Sequence, residues 1–173
     1  MDPFDLAAFL DEFRGEAAMR GFSCVPLLET AAGPQLAFLG PGGGDPAYLS
    51  AGIHGDEPAG PLGALELLKA GVFDDGRAWS LCPAVNPTGL AAGSRDNADG
   101  HDLNRDYLTR ATPEVRAHAA WLESRPVPAL FLSLHEDWES TGFYFYEINL
   151  GEDRPERARA ILGGVEPWFP PEP

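Results

Sequence analysis

The segment from residue 47 to Lys69 constrains the fold more strongly than any other part of the chain. It opens with AYLSAGI (47–53), a nearly continuous run of small and apolar residues that is typical of a strand buried on both faces. A tight turn follows, and Pro58 suits the first turn of a helix that extends to about Lys69. A doubly buried strand followed directly by a helix predicts an α/β fold.

The rest of the chain alternates in the same way between strand-like and helix-like patterns. Apolar residues at helical spacing cover 3–20, and Thr112 and Pro113 suit the start of another helix at 113–124. The runs that indicate strands are FSCVPLLET (22–30), PQLAFLG (34–40), WSLCPAV (79–85), ALFLSLH (129–135) and GFYFYEI (142–148). Because the seven residues 135–141 separate ALFLSL from the last apolar run, we expect these two runs to pair as neighbours. Residues 86–112 form a long polar segment.

Composition excludes several classes of function. A length of 173 residues suits one domain, and 44% hydrophobic with 23% charged residues is typical of a globular protein. With 27 acidic against 12 basic residues, the net charge of −15 repels nucleic-acid phosphates and anionic lipid surfaces. No apolar run is long enough to cross a bilayer, and the acidic N-terminus is unlike a secretory signal. We therefore expect a cytoplasmic protein whose partners include neither nucleic acid nor a membrane.

Two loops after predicted strands carry side chains of the types that can bind metal ions. His54 and Glu57 lie three residues apart in a strand-to-helix turn, and His135 directly follows the apolar strand at 129–134. Open α/β sheets bind ligands in loops beyond the carboxyl ends of their strands. Two histidines and one carboxylate, with one coordination position left for water, are what a catalytic zinc ion needs. The alternative is that each is an ordinary hydrogen-bonded residue, because histidine and glutamate often meet at this spacing by chance.

The polar segment between these loops favours an anionic ligand. Arg95, Asn104 and Arg105 lie in NPTGLAAGSRDNADGHDLNRDY, a stretch otherwise rich in glycine, aspartate and alanine. Guanidinium groups bind carboxylates through two parallel hydrogen bonds, and an asparagine amide can donate another. The alternative is that the arginines pair with neighbouring acids, namely Asp96, Asp99, Asp102 and Asp106.

Two further histidines have simpler interpretations: we expect His101 to be an exposed loop residue and His118 to lie on a helix surface.

The order of these motifs resembles that of the zinc carboxypeptidase family of metallopeptidases. HGDE, NPTG, SRDN, DLNRDY and LHEDWES follow one another over about residues 47–147. The resemblance is strongest to the small bacterial members, which include peptidoglycan peptide amidases. Part of the pattern is shared with the aspartoacylase and succinylglutamate desuccinylase branch, whose members cleave acyl groups from amino acids.

The resemblance assigns a fold and a set of roles. It implies a mixed twisted sheet flanked by helices, in an α/β/α arrangement. It implies one zinc ion and three kinds of side chain around it: the metal ligands His54, Glu57 and His135, the oxyanion-stabilising Arg95, and the carboxylate-binding Asn104 and Arg105.

One part of the family's pattern is not found in the chain. In the family the general base is a glutamate on a late strand, many tens of residues after the second histidine ligand, whereas 38 residues follow His135 here. Glu136, Glu139 and Glu147 lie closer to this histidine in sequence and do not match that context. The resemblance therefore implies a single metallocarboxypeptidase-like domain over residues 1–173 that lacks its C-terminal part.

Three functions are consistent with these observations. The first is a zinc-dependent hydrolase that cleaves an amide bond next to a free carboxylate, at the C-terminal residue of a peptide, with peptidoglycan-derived peptides among the substrates. The second is an aspartoacylase-type deacylase that acts on N-acyl amino acids. The third is a non-catalytic module that binds a metal or ligand, which the missing general base favours.

Overall fold

The computed structural model describes residues 4–172, and its helices and strands alternate along most of the chain. The strands within this range are β1 (Ser23–Thr30), β2 (Gly33–Leu39), β3 (Pro46–Ser50), β4 (Ala78–Cys82) and β5 (Leu130–Ser133). The helices are α1 (Leu6–Met19), α2 (Ala59–Lys69), α3 (Pro87–Ala92), α4 (Pro113–Glu123) and α5 (Pro155–Val165), with a 3₁₀ helix at Leu103–Arg105. Residue 3, where the first predicted helix begins, lies outside the described range.

The five strands form one mixed sheet in the order β1-β2-β4-β3-β5. β1 and β2 form an antiparallel hairpin, and β2 pairs antiparallel with β4. β3 lies between β4 and β5 and is parallel to both. This inner position agrees with the prediction of a strand buried on both faces, and the expected mixed α/β sheet is confirmed.

Helices cover both faces of this sheet. Successive residues of β3 point to opposite faces, so Ala47 and Leu49 join the core beneath α1 and α2, whereas Tyr48 joins a second core beneath α4. Phe13 of α1 and Val115 of α4 are fully buried in these two cores. The sheet is therefore sandwiched between helical layers, which is the α/β/α arrangement that the resemblance implied.

The carboxyl ends of three parallel strands meet at one edge of the sheet. Ser50 at the end of β3 is in register with Cys82 at the end of β4 and with Ser133 at the end of β5. The loop after β3 turns at Gly52, whose φ is +64° and where a Cβ would lie 2.8 Å from a methyl carbon of Leu90. A side chain at this position would be both strained and crowded, so the turn needs glycine.

The chain divides into two compact units, with the boundary between Glu136 and Asp137. The first unit contains the sheet, and the second contains α5. The expectation of one domain over residues 1–173 stays a prediction. No helix in residues 4–172 combines the length and the apolarity that crossing a membrane requires.

The prediction of a strand at 142–148 is wrong. This segment has no regular strand structure, and within the second unit Phe143 forms an isolated bridge with Pro171. Tyr146 and Ile148 are both more than 80% exposed. Phe143 and Phe145 are only half-buried, and among the described residues of this unit no strand lies beside the segment to pair with its backbone.

Candidate metal centre

Two imidazoles and one carboxylate converge at the carboxyl edge of the sheet. Nδ1 of His54 lies 2.6 Å from Oε1 of Glu57, and Nδ1 of His135 lies 2.9 Å from Oε2 of the same carboxylate. One possible ligand atom from each residue lies within 4.8 Å of the others. The structure thus brings together the three predicted metal ligands, although His135 is 78 residues from Glu57 in sequence.

The centre is buried on one side and open on the other. His54 and Glu57 are buried, whereas the His135 side chain is 34% exposed. The loop after β5 also anchors the carboxylate, because the Glu136 backbone N–H donates to Oε2 of Glu57 at 3.1 Å. A ligand can therefore approach the cluster from the His135 side.

Hydrogen bonding decides the charge of the central carboxylate. Burial raises the pKa of Glu57, but hydrogen bonds from His135 and His54 outweigh it and lower the pKa to about 2. Burial likewise lowers the pKa of His54, but its contact with Glu57 outweighs burial and raises the pKa overall. Glu57 is therefore a carboxylate at neutral pH, which is the form that binds a cation.

Asp102 holds the other side of the His54 ring. Its Oδ1 lies 3.3 Å from Nε2 of His54, so the ring lies between two carboxylates. Burial raises the pKa of Asp102, but the charge of His54 and a hydrogen bond from Arg95 lower it further than burial raises it. A carboxylate on the far nitrogen of a metal-binding imidazole fixes its orientation and raises its basicity.

Arg95 lies between Asp102 and the cluster. Its Nη2 and Nε atoms donate to Oδ2 of Asp102 at 3.1 and 3.3 Å, and its Nη1 lies 3.7 Å from Oε1 of Glu57. The side chain is about half exposed. A cationic group this close to the centre can stabilise negative charge that develops on a bound ligand.

Arg105 and Asn104 lie further out on the same loop. The Arg105 side chain is 84% exposed, and its Nε lies 3.4 Å from Oδ2 of Asp102. Asn104 is also exposed, and its backbone N–H donates to Oδ1 of Asp102 at 3.0 Å. The alternative of local arginine–aspartate pairs is therefore observed for Asp102 with both arginines. Asp106 instead caps the following turn, where it binds Thr109, Ala111 and Thr112.

Asp102 has a larger role than the sequence alone indicated. The sequence predicts it only as a pairing partner for arginine, whereas in the structure it contacts His54, Arg95 and Arg105. The signal for this role was its place at the start of DLNR, where its side chain caps the 3₁₀ helix. His101, its neighbour, is exposed as expected.

The prediction that His118 lies on a helix surface is wrong. It is 2% exposed, and its two ring nitrogens contact the hydroxyl groups of Tyr48 and Tyr107. Burial lowers the pKa of His118 to about 4. Val115 and Ala119 flank it on the same buried face of α4, and this helical spacing was readable in the sequence.

The donor set fits a divalent ion of the zinc type. Zinc binds imidazole nitrogen and carboxylate oxygen, and its catalytic sites use three protein ligands with one position left open. Here the His54 and His135 nitrogens both face Glu57, and one side of the cluster is accessible. These three residues would hold the ion.

A separate apolar cavity lies at the opposite edge of the sheet. Its volume is about 720 Å³, and Pro46, Ala78 and Phe131 are among its lining residues. It shares no residue with the metal cluster, so it does not contribute to that site.

Solved structures share this fold over nearly the whole chain. A candidate metallopeptidase from Shewanella denitrificans OS217 is 26% identical with a TM-score of 0.84, and the match covers 96% of this chain and 65% of that one. A candidate metallopeptidase from Shewanella amazonensis SB2B is 28% identical with a TM-score of 0.79, covering 96% and 69% of the two chains. The chain thus spans about two thirds of the length of these relatives.

A more distant likeness concerns the fold alone. The metallo-carboxypeptidase from Pseudomonas aeruginosa is 23% identical with a TM-score of 0.62, and the match covers 77% of this chain and 40% of that one. Among curated proteins, none matches the chain in sequence.

The predicted resemblance to zinc carboxypeptidases and to their deacylase branch is confirmed. Residues 44–136 match the family model described as the succinylglutamate desuccinylase/aspartoacylase catalytic domain. This range includes His54, Glu57, Arg95 and His135. Because the match covers more than half of the sequence, the chain belongs to the succinylglutamate desuccinylase/aspartoacylase catalytic domain family.

Proposed function

We propose that the chain carries the metal centre of a zinc-dependent hydrolase that cleaves an amide bond next to a free carboxylate. The observation that carries the proposal is the convergence of His54, Glu57 and His135, with the Arg95 guanidinium 3.7 Å from the Glu57 carboxylate. Three ligand atoms can hold a catalytic metal ion, and an adjacent cation can stabilise the negative charge that develops during amide hydrolysis. Membership of a family named for desuccinylation and aspartoacylase activity supports the same class of reaction.

Each side chain has a distinct task in this proposal. A bound zinc ion supplies Lewis-acid polarisation of the scissile carbonyl and lowers the pKa of water. Arg95, whose guanidinium lies 3.7 Å from the Glu57 carboxylate, stabilises the negative charge that develops on the carbonyl oxygen. Asp102 orients both Arg95 and the His54 ring. Arg105, which is mostly exposed, binds the substrate's free carboxylate together with Asn104.

Two substrate classes have this chemistry. An N-acyl amino acid is favoured by the family match over residues 44–136. The C-terminal residue of a peptide, including a peptidoglycan-derived peptide, is favoured by the likeness to metallopeptidases in structure. Both present an amide one carbon away from a free carboxylate, so Arg105 and Asn104 would serve either.

Three carboxylates of the first unit near the centre are already engaged. Glu57 and Asp102 bind histidine and arginine partners, and the Glu136 side chain accepts a hydrogen bond from the Ala59 N–H near the start of α2. Turnover also requires a group that accepts the proton of water, which typically contributes about 10²- to 10⁴-fold to the rate. Metal binding and turnover must therefore be measured separately.

The test uses the zinc-loaded chain and a substrate panel. The panel contains N-acetylaspartate, N-succinylglutamate, dipeptides with free and amidated C-termini, and a peptidoglycan-derived peptide. His135→Ala removes a ligand, and His101→Ala is the matched control because His101 is an exposed histidine of the neighbouring loop.

The expected result is hydrolysis of at least one free-carboxylate substrate by the wild type and His101→Ala, and none by His135→Ala. Zinc binding without turnover of any substrate would favour the non-catalytic module. Equal hydrolysis by wild type and His135→Ala would overturn the proposed centre.

A further inference from the structure

Asn86, the first residue of the NPTG motif, is fully buried where β4 leads into α3. Its Oδ1 accepts hydrogen bonds from the Gly89 N–H at 2.9 Å and from the Thr88 hydroxyl at 3.3 Å. These contacts make Asn86 the N-cap of α3. They account for one end of its amide group.

The other end of the amide joins two segments of the metal centre. Nδ2 of Asn86 donates to the carbonyl oxygen of Ile53 at 3.3 Å and to the carbonyl oxygen of Arg95 at 3.4 Å. Ile53 immediately precedes the ligand His54. A side-chain amide has two N–H donors, and here each has one carbonyl acceptor, so the amide is fully used. A serine or an aspartate at this position could cap α3 but could not supply both donors.

Backbone packing holds the same junction closely. The Gly55 N–H also donates to the Arg95 carbonyl, at 3.4 Å. A Cβ at Gly55 would lie 1.9 Å from the Gly89 carbonyl carbon, and a Cβ at Gly89 would lie 2.3 Å from Nδ2 of Asn86. The backbones of the two glycines therefore approach more closely than any side chain allows. The turn that carries His54 and Glu57 cannot shift relative to Arg95 without breaking these contacts.

We propose that Asn86 is the positioning residue that fixes Arg95 relative to the His54–Glu57 turn. The inference rests on the proposed function, in which the Arg95 guanidinium stabilises developing negative charge. The Arg95 backbone is anchored by Asn86 and Gly55, and its guanidinium is anchored by Asp102. Loss of the backbone anchor therefore shifts the Arg95 backbone and with it the guanidinium. The three metal ligands keep the contacts that they make with one another.

The test separates the two hydrogen bonds that the Asn86 amide donates from its role as the N-cap of α3. Asn86→Asp has the same shape and keeps an acceptor for the Gly89 N–H, but it loses the two donors when ionised. Asn86→Ser, a good N-cap with a shorter side chain, is the second variant, so that the test does not depend on one variant folding. Asp5→Ala is the matched control, because Asp5 caps the remote helix α1 through the Ala8 N–H.

Two readouts are compared at pH 8. The first is hydrogen exchange of the Gly55 amide, measured by NMR on the metal-free chain. The second is kcat and KM of the zinc-loaded chain on the substrate that the panel identifies. In both Asn86 variants we expect Gly55 exchange to rise about tenfold or more, since an opened contact exposes the amide. We expect kcat to fall about tenfold with KM changed less than about threefold, because Arg95 acts on charge that develops during the reaction.

Asp5→Ala should leave both readouts at their wild-type values. Unchanged Gly55 exchange in both Asn86 variants would overturn the positioning role, as would a loss of kcat matched by Asp5→Ala. A wild type that hydrolyses no substrate would instead count against the proposed function. The exchange readout would still decide the role of Asn86, because it needs neither zinc nor turnover.

Discussion

The buried His118 predicts a specific dependence of stability on pH. Its ring nitrogens contact the hydroxyls of Tyr48 and Tyr107, and burial lowers its pKa from 6.5 to about 4. In the unfolded chain the ring regains its ordinary pKa, so between pH 6.5 and 4 the unfolded state binds more protons than the folded state. The free energy of unfolding therefore falls as the pH decreases through this window.

The size of the effect follows from the two pKa values. Their difference corresponds to about 3 kcal/mol once both states are protonated. Between pH 7 and pH 5 the contribution is about 2 kcal/mol, because the folded-state ring is still neutral at pH 5. This is a large part of the stability of an ordinary domain, which is about 5–15 kcal/mol.

Urea denaturation of the metal-free chain at pH 7, 6 and 5 measures this contribution against His118→Gln. Glutamine also offers one donor and one acceptor to the tyrosines, but it does not titrate in this range. Groups such as His54 and Glu57 contribute equally to both proteins, so the difference between the two curves isolates His118. We expect the wild type to lose about 2 kcal/mol more than His118→Gln from pH 7 to pH 5. Parallel curves would refute the inference that the ring is neutral and buried.

Three further predictions concern the metal centre. His135→Ala should reduce bound zinc from about one ion per chain to a small fraction, measured by atomic absorption; unchanged zinc in both His135→Ala and His54→Ala would contradict the site. Asp102→Asn should weaken zinc binding about 10- to 100-fold in a chelator competition, because the His54 ring loses its charged partner; unaltered affinity would show that the contact is incidental. Arg105→Ala should raise KM for substrates with a free carboxylate. If substrate binding excludes water from the contact, the increase should correspond to about 2 kcal/mol or more. If the contact stays exposed to water, it should correspond to less than about 1 kcal/mol. Equal effects on amidated substrates would make Arg105 structural.

Local patterns in the sequence predicted most of the sheet and the ligand loops. The run at 47–53 ends in a turn and a helix because small apolar residues, Gly52 and Pro58 each favour those conformations within a few residues. His54 and Glu57 were recognisable as a pair for a similar reason, because they lie three residues apart in the same turn. His135 was placed correctly at a strand end, since β5 lies beside β3 with their carboxyl ends level.

Features that depend on distant contacts were not predictable in the same way. The run at 142–148 has strand-like alternation, but among the described residues of the second unit no strand is present to pair with it. The six-residue helix α3 lies in the polar segment and was not predicted, although Asn86 followed by proline is a recognisable helix start. The contacts of Asp102 reach a group 48 residues away, and its place at the start of DLNR indicates the helix cap but not the contact with His54.

The 78-residue separation between Glu57 and His135 has a consequence for folding. An ion shared by these residues acts as a cross-link that closes a long loop. Closing a loop of this length in the unfolded chain costs about 4 kcal/mol of conformational entropy. Among the described strands, β5 pairs with β3 alone, so it is joined to the sheet along one side only. Removal of the metal by a chelator would therefore release β5 first. The metal would hold this strand to the sheet in addition to forming the centre of the site.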